Sequence, residues 1–252
     1  MKNIVIVGYP KSGNTWVTRL AAELIQCPVS GFWYSSHEEI AKEGMERISE
    51  FACYKSHHQL HKLESFTEKP WKIIYVIRDP RDIVFSGIPY FYADFRKKTE
   101  HQLLTLLIPD KMHFWLGGRH KIKREMIQAV LHGNANVHAW CKVSWSRHMT
   151  PFLQRPDILK IKYEALLEKP VESCKTVLQF LSLSRTDEEI SRAIYNQSFD
   201  TVKTKLKKSG VSHQSGFLHK GKAGYWKDGL TASEKELFIQ HLKQEFQQLG
   251  YV

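Results

Sequence analysis

The chain has 252 residues, enough for one sizeable α/β domain with a well-buried core, and no long linker divides it. Thirty-seven Lys and Arg against 26 Asp and Glu leave a formal charge of +11, which attracts anions, but the basic residues are scattered or sit beside turns and no nucleic-acid-binding motif is present. The longest apolar runs are strand-length, short of the ~20 residues a membrane span needs, and Cys27, Cys53, Cys141 and Cys174 form no C-x-x-C pair, which argues against a zinc site or disulfide framework and for reduced thiols in a cytoplasmic protein.

Lys2-Asn3 leads straight into the apolar run Ile4-Val5-Ile6-Val7, so a strand and no signal peptide is expected at the start. A Gly-containing turn, Gly8 to Gly13, follows, and a helix should run from Asn14 to about Ile25 with Trp16, Leu20 and Leu24 on its inner face. Apolar runs at 72–77 and 158–163 read as further parallel strands buried on both faces. Their alternation with helical stretches predicts a doubly wound parallel α/β sheet flanked by helices, in a single domain over 1–252. Residues 87–135 hold aromatics, a basic patch and Pro109 with no lasting period; they read as a lid or pocket wall, or equally as helices packed on the sheet. Pro170 opens an amphipathic stripe of Val171, Cys174, Val177, Leu178 and Leu181. Thr186-x-x-Glu189 and Thr231-x-x-Glu234 have capping-box spacing, so helices should start just after each Thr. The basic cluster Lys203 to Lys208 reads as a solvated mobile segment in preference to an acceptor-binding one.

The turn Gly8-Tyr9-Pro10-Lys11-Ser12-Gly13-Asn14-Thr15-Trp16 joins a buried strand to a helix start, where backbone N–H groups converge and the positive helix end favours an anion. Gly8, Gly13 and Thr15 keep the spacing of a nucleotide-binding P-loop, but Asn14 stands where its lysine belongs and the cation is Lys11. That relocation disfavours a magnesium-dependent kinase and suggests a phosphate ligand handled without a metal. A non-catalytic nucleotide- or polyanion-binding protein is the other alternative. His57 and His61 have the i, i+4 spacing of a helical zinc pair, but no carboxylate or further ligand stands nearby in sequence.

The loop Tyr9 to Trp16 resembles the 5′-phosphosulfate loop of the sulfotransferases that use 3′-phosphoadenosine 5′-phosphosulfate (PAPS) as donor. Two further segments match in order and distance: Tyr75-Val76-Ile77-Arg78-Asp79-Pro80-Arg81-Asp82-Ile83-Val84-Phe85-Ser86, and Phe217-Leu218-His219-Lys220-Gly221-Lys222-Ala223-Gly224-Tyr225-Trp226-Lys227. The resemblance spans residues 4 to about 236. It implies transfer of a sulfuryl group to an acceptor hydroxyl or amine, leaving 3′-phosphoadenosine 5′-phosphate (PAP), with no metal. By the same resemblance His57, in Tyr54-Lys55-Ser56-His57, is the base and Lys55 and Lys11 are the electrostatic catalysts. Ser12, Gly13, Asn14 and Thr15 would hold the 5′-phosphate, Arg78, Ser86, His219, Lys220 and Gly221 the 3′-phosphate, and Tyr163 the nucleotide. Trp16 and Phe199 would sandwich adenine, and Ser198, matched with Phe199, would also bind the cofactor.

This sequence departs from the family pattern in several places. His58-Gln59 replaces Leu-Pro after the base, Gln197 replaces the Thr before Ser198, and His219 replaces an arginine. Lys227-x-x-x-Thr231-Ala232-x-x-x-Glu236 resembles the family's dimerisation motif with Ala232 in place of valine, which implies a monomer or a weak homodimer. The phosphate loop starts at residue 8, earlier than in typical cytosolic members, so a more open acceptor site and a larger or less apolar acceptor are expected. The acceptor is then a small molecule or a glycoside or lipid, with no nucleic acid and no membrane span involved.

Overall fold

The computed structural model describes residues 1–34, 40–92, 119–208 and 222–251. In chain order the elements are β1 (Lys2–Gly8), α1 (Asn14–Ile25), β2 (Val29–Phe32), β3 (Phe51–Ser56), α2 (Leu60–Ser65), β4 (Lys72–Ile77), α3 (Pro80–Phe91), α4 (Arg119–His132), α5 (Trp145–Leu153), β5 (Leu159–Lys162), α6 (Tyr163–Glu168), α7 (Pro170–Phe180), α8 (Asp187–Asn196), α9 (Phe199–Lys208), α10 (Trp226–Gly229) and α11 (Ala232–Leu249). They form two compact units, Met1–Arg78 with His148–Ala223, and Asp79–Arg147 with Gly224–Val252.

The first unit holds a five-stranded, all-parallel sheet of order β2-β3-β1-β4-β5. Ile4 to Val7 are fully buried, as expected for a central strand covered on both faces. On one face Ile4, Ile6, Cys53, Ile74 and Val76 pack with Val17, Leu20, Ala21 and Leu24 of α1 and with Cys174, Val177 and Leu178 of α7. On the other, Tyr75 stacks on Phe152 of α5 at 4.4 Å between ring centroids. The sheet is therefore wound on both faces, as the alternating pattern predicted.

α1 spans the expected residues, but Trp16 is only half-buried and Val17 and Ala21 join the inward stripe. Both capping boxes form, Thr186 with Glu189 and Thr231 with Glu234. All four cysteines are free and buried. The fold nonetheless brings Cys27 Sγ within 3.5 Å of Cys53 Sγ, and that hydrogen bond together with burial pushes the Cys53 thiol well above its usual range.

The segment around Lys203 corrects an expectation. Residues up to Lys208 continue the helix α9, whose first turn is capped by Ser198, its Oγ 3.4 Å from the Thr201 N–H. Good helix-forming lysines and a capping serine outweigh the polarity that suggested a mobile stretch.

In the second unit Asp79 caps α3 by accepting the Arg81 N–H at 2.9 Å. Arg81 pairs with the same carboxylate at 2.8 Å, lies 3.6 Å over the Trp226 ring and donates to the carbonyl of Tyr251. Asp82 accepts the N–H groups of Gly224 and Trp226. Within 87–135, α4 packs on α3 where Gly87 presents no side chain; a Cβ there would meet Met126 at 2.8 Å. Residues 93–118, the centre of the expected lid or pocket wall, lie outside the described residues.

Candidate active site

The strand register lines up the chemistry. Val7 pairs with Ser56, Gly8 with Val76 and Ile77 with Lys162, so His57 and Arg78 each follow the last residue of a strand that neighbours β1, and Tyr163 follows β5, one strand further out, at the same end of the sheet. In such sheets ligands bind in the crevice outside the carboxyl ends of the strands.

The turn after Gly8 has a strained backbone and open donors. Lys11 and Gly13 have left-handed backbones, φ 68° and 96°. A non-glycine residue in that region is a strained position that clusters at functional sites. Gly13 caps α1 without a side-chain hydrogen bond, so the N–H groups of the first turn have no partner within the helix. No larger residue fits at Gly13: a Cβ would stand 2.5 Å from the Tyr163 ring. Arg78 Nη1 donates to the Lys11 carbonyl at 3.0 Å and holds the strained turn, while its guanidinium lies 4.3 Å from the Tyr163 ring centroid. Ser12 Oγ, Asn14 Oδ1 and Arg78 Nε are buried polar atoms with no protein partner. Such groups are costly unless a ligand or a rearrangement satisfies them.

Asn14, in the place of the P-loop lysine, does different work. Its side-chain Nδ2 donates to the carbonyls of Gly8, at 2.9 Å, and Ser56, at 3.3 Å, and so ties the phosphate loop to the end of β3. His57 Nδ1 lies 2.8 Å from the same Gly8 carbonyl and 3.0 Å from Asn14 Nδ2. The carbonyl only accepts and the amide nitrogen only donates, so the two contacts ask for opposite tautomers; the shorter one, to Gly8, favours the proton on Nδ1, and two donors then converge on one oxygen. The neutral ring then carries its lone pair on Nε2. Burial, and next Lys55, hold the His57 pKa well below the histidine range, with smaller contributions of the same sign from His148 and Lys11. The ring is therefore neutral at physiological pH and able to take a proton. Gly8 needs its hydrogen, since a Cβ would meet Asn14 Oδ1 at 2.5 Å and the Val76 carbonyl at 2.7 Å.

Lys55 is buried at the end of β3, its Nζ 5.8 Å from the Phe32 ring centroid; Phe32 in turn lies 5.7 Å from the His57 ring. Phe32 is thus an apolar neighbour of the His57 ring. Sequence reasoning missed it because β2 is four residues long and carries no motif.

Trp16 donates its indole N–H to the Gln197 carbonyl at 2.9 Å and meets Tyr163 edge-on at 5.6 Å. That bond brings Trp16 to the chain two residues before Phe199. Ser198 bonds Thr201 Oγ1 at 2.9 Å and serves as a helix cap. Thr15 is half-buried in the first turn of α1. Ser86 lies half-buried on α3, in the second unit. His219, Lys220 and Gly221 lie outside the described residues.

His58 Nε2 sits 3.2 Å from the Trp33 carbonyl, and His57 turns to Gly8 instead, so the two rings serve different carbonyls. Among the described residues no group of three or more His, Cys, Asp or Glu side chains is placed to hold a metal ion.

A parallel sheet whose first strand runs into a strained glycine turn and an open helix start has the layout of a phosphate-binding α/β fold, with a buried, neutral histidine at the neighbouring strand end. The sulfotransferase domain model matches residues 1–250, and the chain belongs to that family. Bovine sulfotransferase 1E1 is 26% identical over 270 residues, covering 96% of this chain and 83% of its own. Human sulfotransferase 2A1 is 23% identical, covering 98% and 85%. The fold is similar to a mouse sulfotransferase, SULT7A1, solved with PAP, at TM-score 0.62 and 22% identity over 96% of this chain and 85% of that one. It is also similar to retinol dehydratase solved with androsterone and inactive cofactor PAP, at TM-score 0.59 and 15% identity over 97% and 80%. No helix among the described residues is long and apolar enough to cross a membrane.

Proposed function

We propose that this protein transfers a sulfuryl group from PAPS to a hydroxyl of a small-molecule acceptor by in-line displacement, with His57 as general base. The observation that carries the reading is the 2.8 Å contact from His57 Nδ1 to the Gly8 carbonyl, which leaves Nε2 as the basic nitrogen beside the phosphate loop.

The residues present suit the donor. Ser12, Gly13, Asn14 and Thr15 line the loop that would take the 5′-phosphosulfate, and the unpartnered Ser12 Oγ, Asn14 Oδ1 and Arg78 Nε fit a densely charged anion there. Arg78, Ser86, His219, Lys220 and Gly221 are assigned to the 3′-phosphate, Trp16 and Phe199 to adenine, and Tyr163 to the nucleotide beside Gly13. His57 Nε2 takes the acceptor proton, and Lys11 and Lys55 offset charge that builds on the transferring group and the leaving phosphate. Phe32 gives the acceptor an apolar neighbour, in keeping with a small organic acceptor. A single functional domain, a cytoplasmic location, a monomer or weak homodimer and independence from metal belong to the same reading.

Calorimetry with PAP and AMP tests it. Loss of the 3′-phosphate removes several charge-assisted hydrogen bonds, each worth about 1.5–3 kcal/mol before compensation, so PAP should bind at least about 100-fold more tightly. Equal affinities would overturn the donor assignment.

A further inference from the structure

One buried titratable group has no part in the chemistry above. His148, on α5, is 1% exposed; its Nδ1 lies 2.8 Å from the Tyr75 hydroxyl and its Nε2 3.0 Å from the main-chain carbonyl of His57. That carbonyl accepts only, so Nε2 carries the proton, and the remaining lone pair on Nδ1 accepts from Tyr75. Two rings fix the imidazole's plane: Phe152 stacks at 5.8 Å and 22°, and Tyr9, the residue after Gly8, meets it edge-on at 5.8 Å and 87°. Burial holds His148 at about 4, so the ring stays neutral near pH 7 and its Nε2 donor persists. The groups that face it are Tyr75, Tyr9, His57 and, electrostatically, His58.

The carbonyl it holds has lost its place in the sheet, since β3 ends at Ser56. The His148 donor restrains the main chain at His57, and with it the imidazole. We propose that His148 is a positioning residue for the base: the chain from the Tyr75 hydroxyl through His148 to the His57 carbonyl fixes that residue's backbone, so that Nδ1 meets Gly8 and Nε2 faces the acceptor. Tyr75 sets the tautomer, because its hydroxyl occupies Nδ1 and leaves the proton on Nε2. The inference rests on His57 being the base.

The test compares His148→Met, which fills the space without a donor, with His148→Gln, whose amide can place an N–H near the position of Nε2. In folded His148→Met, kcat should fall about 10- to 100-fold, as a small misalignment of a reacting group can cost about 100-fold. PAP affinity and donor KM should stay at their wild-type values, and His148→Gln should recover most of the lost kcat. A structural role alone would make both variants lose activity only in step with their folded fraction. Wild-type kcat in folded His148→Met, or equal losses in the two variants, would overturn the proposal. If neither variant folds, Tyr75→Phe decides: it frees the tautomer without removing the ring, and should lower kcat with PAP affinity kept, whereas unchanged kcat would overturn the relay. His57→Ala run alongside separates the two claims, because turnover that survives it defeats the base reading itself, while its loss with His148→Met unaffected defeats only the positioning role.

Discussion

Two helix starts in the same unit are built in opposite ways. At Asp187 the first-turn donors are used within the helix start: Thr186 Oγ1 accepts the Glu189 N–H at 3.2 Å, Glu189 accepts the Thr186 N–H at 2.8 Å, and Asp187, Glu188 and Glu189 face the positive helix end. At Asn14 the cap is a left-handed glycine with no side-chain bond, no acid lies in the first turn, and strained Lys11 stands just before it. The first arrangement stabilises a helix; the second gives up stability and leaves its donors open, as the proposed donor site requires.

The largest effect expected from breaking this contrast is at Gly13. In Gly13→Ala the new methyl meets Tyr163 and the backbone loses its preferred residue, so PAP affinity should drop on the order of 100-fold or more, with thermal stability lowered by roughly 1–3 kcal/mol. Wild-type affinity by calorimetry would show that the turn does not hold the nucleotide. Lys11→Ala should come next, lowering donor affinity and kcat together, because on the proposed reading its charge would meet the phosphosulfate before and more strongly during transfer. A loss in only one parameter, read from initial rates, would reassign it.

Acid titration sharpens the same comparison. His148, with a folded pKa of about 4 against an ordinary 6.5, binds its proton more readily when unfolded, and His57 shifts in the same direction. Each therefore contributes stability that is complete above about pH 6.5 and is lost as pH falls towards the folded value. For His148 the loss by pH 4 is on the order of 3 kcal/mol. The capping carboxylate of Glu189 is shifted down, by the Thr186 N–H first, so its contribution is complete above its ordinary 4.5 and disappears only at lower pH. Denaturant midpoints between pH 7 and 4 should fall in wild type and fall less in His148→Met; parallel curves would refute the link. Thr186→Ala should give the smallest effect, about 1 kcal/mol of stability with PAP binding unchanged.

Much of this was legible in sequence because it lies in local patterns. The strand before Gly8, the helix from Asn14 and both capping boxes depend on neighbours within a few residues, and the structure has them where the patterns put them. Asn14 was visible as a departure from the P-loop, but its bonds to Gly8 and Ser56 depend on strand register, which one chain segment does not encode. The same holds for His148 and Tyr75, 73 residues apart and joined only when α5 packs on the sheet. The approach of Cys27 to Cys53 likewise carries no spacing signal. At Lys203 the charge run marked a solvated stretch but not its helix, because helix propensity and a serine cap decided the backbone there.

The central claim is tested most directly by His57→Ala, assayed for PAP release from PAPS with an acceptor that the wild type uses and for PAP affinity by calorimetry. The account predicts turnover reduced by about 10²–10⁴-fold with PAP affinity essentially unchanged. Wild-type turnover in the folded variant would contradict it.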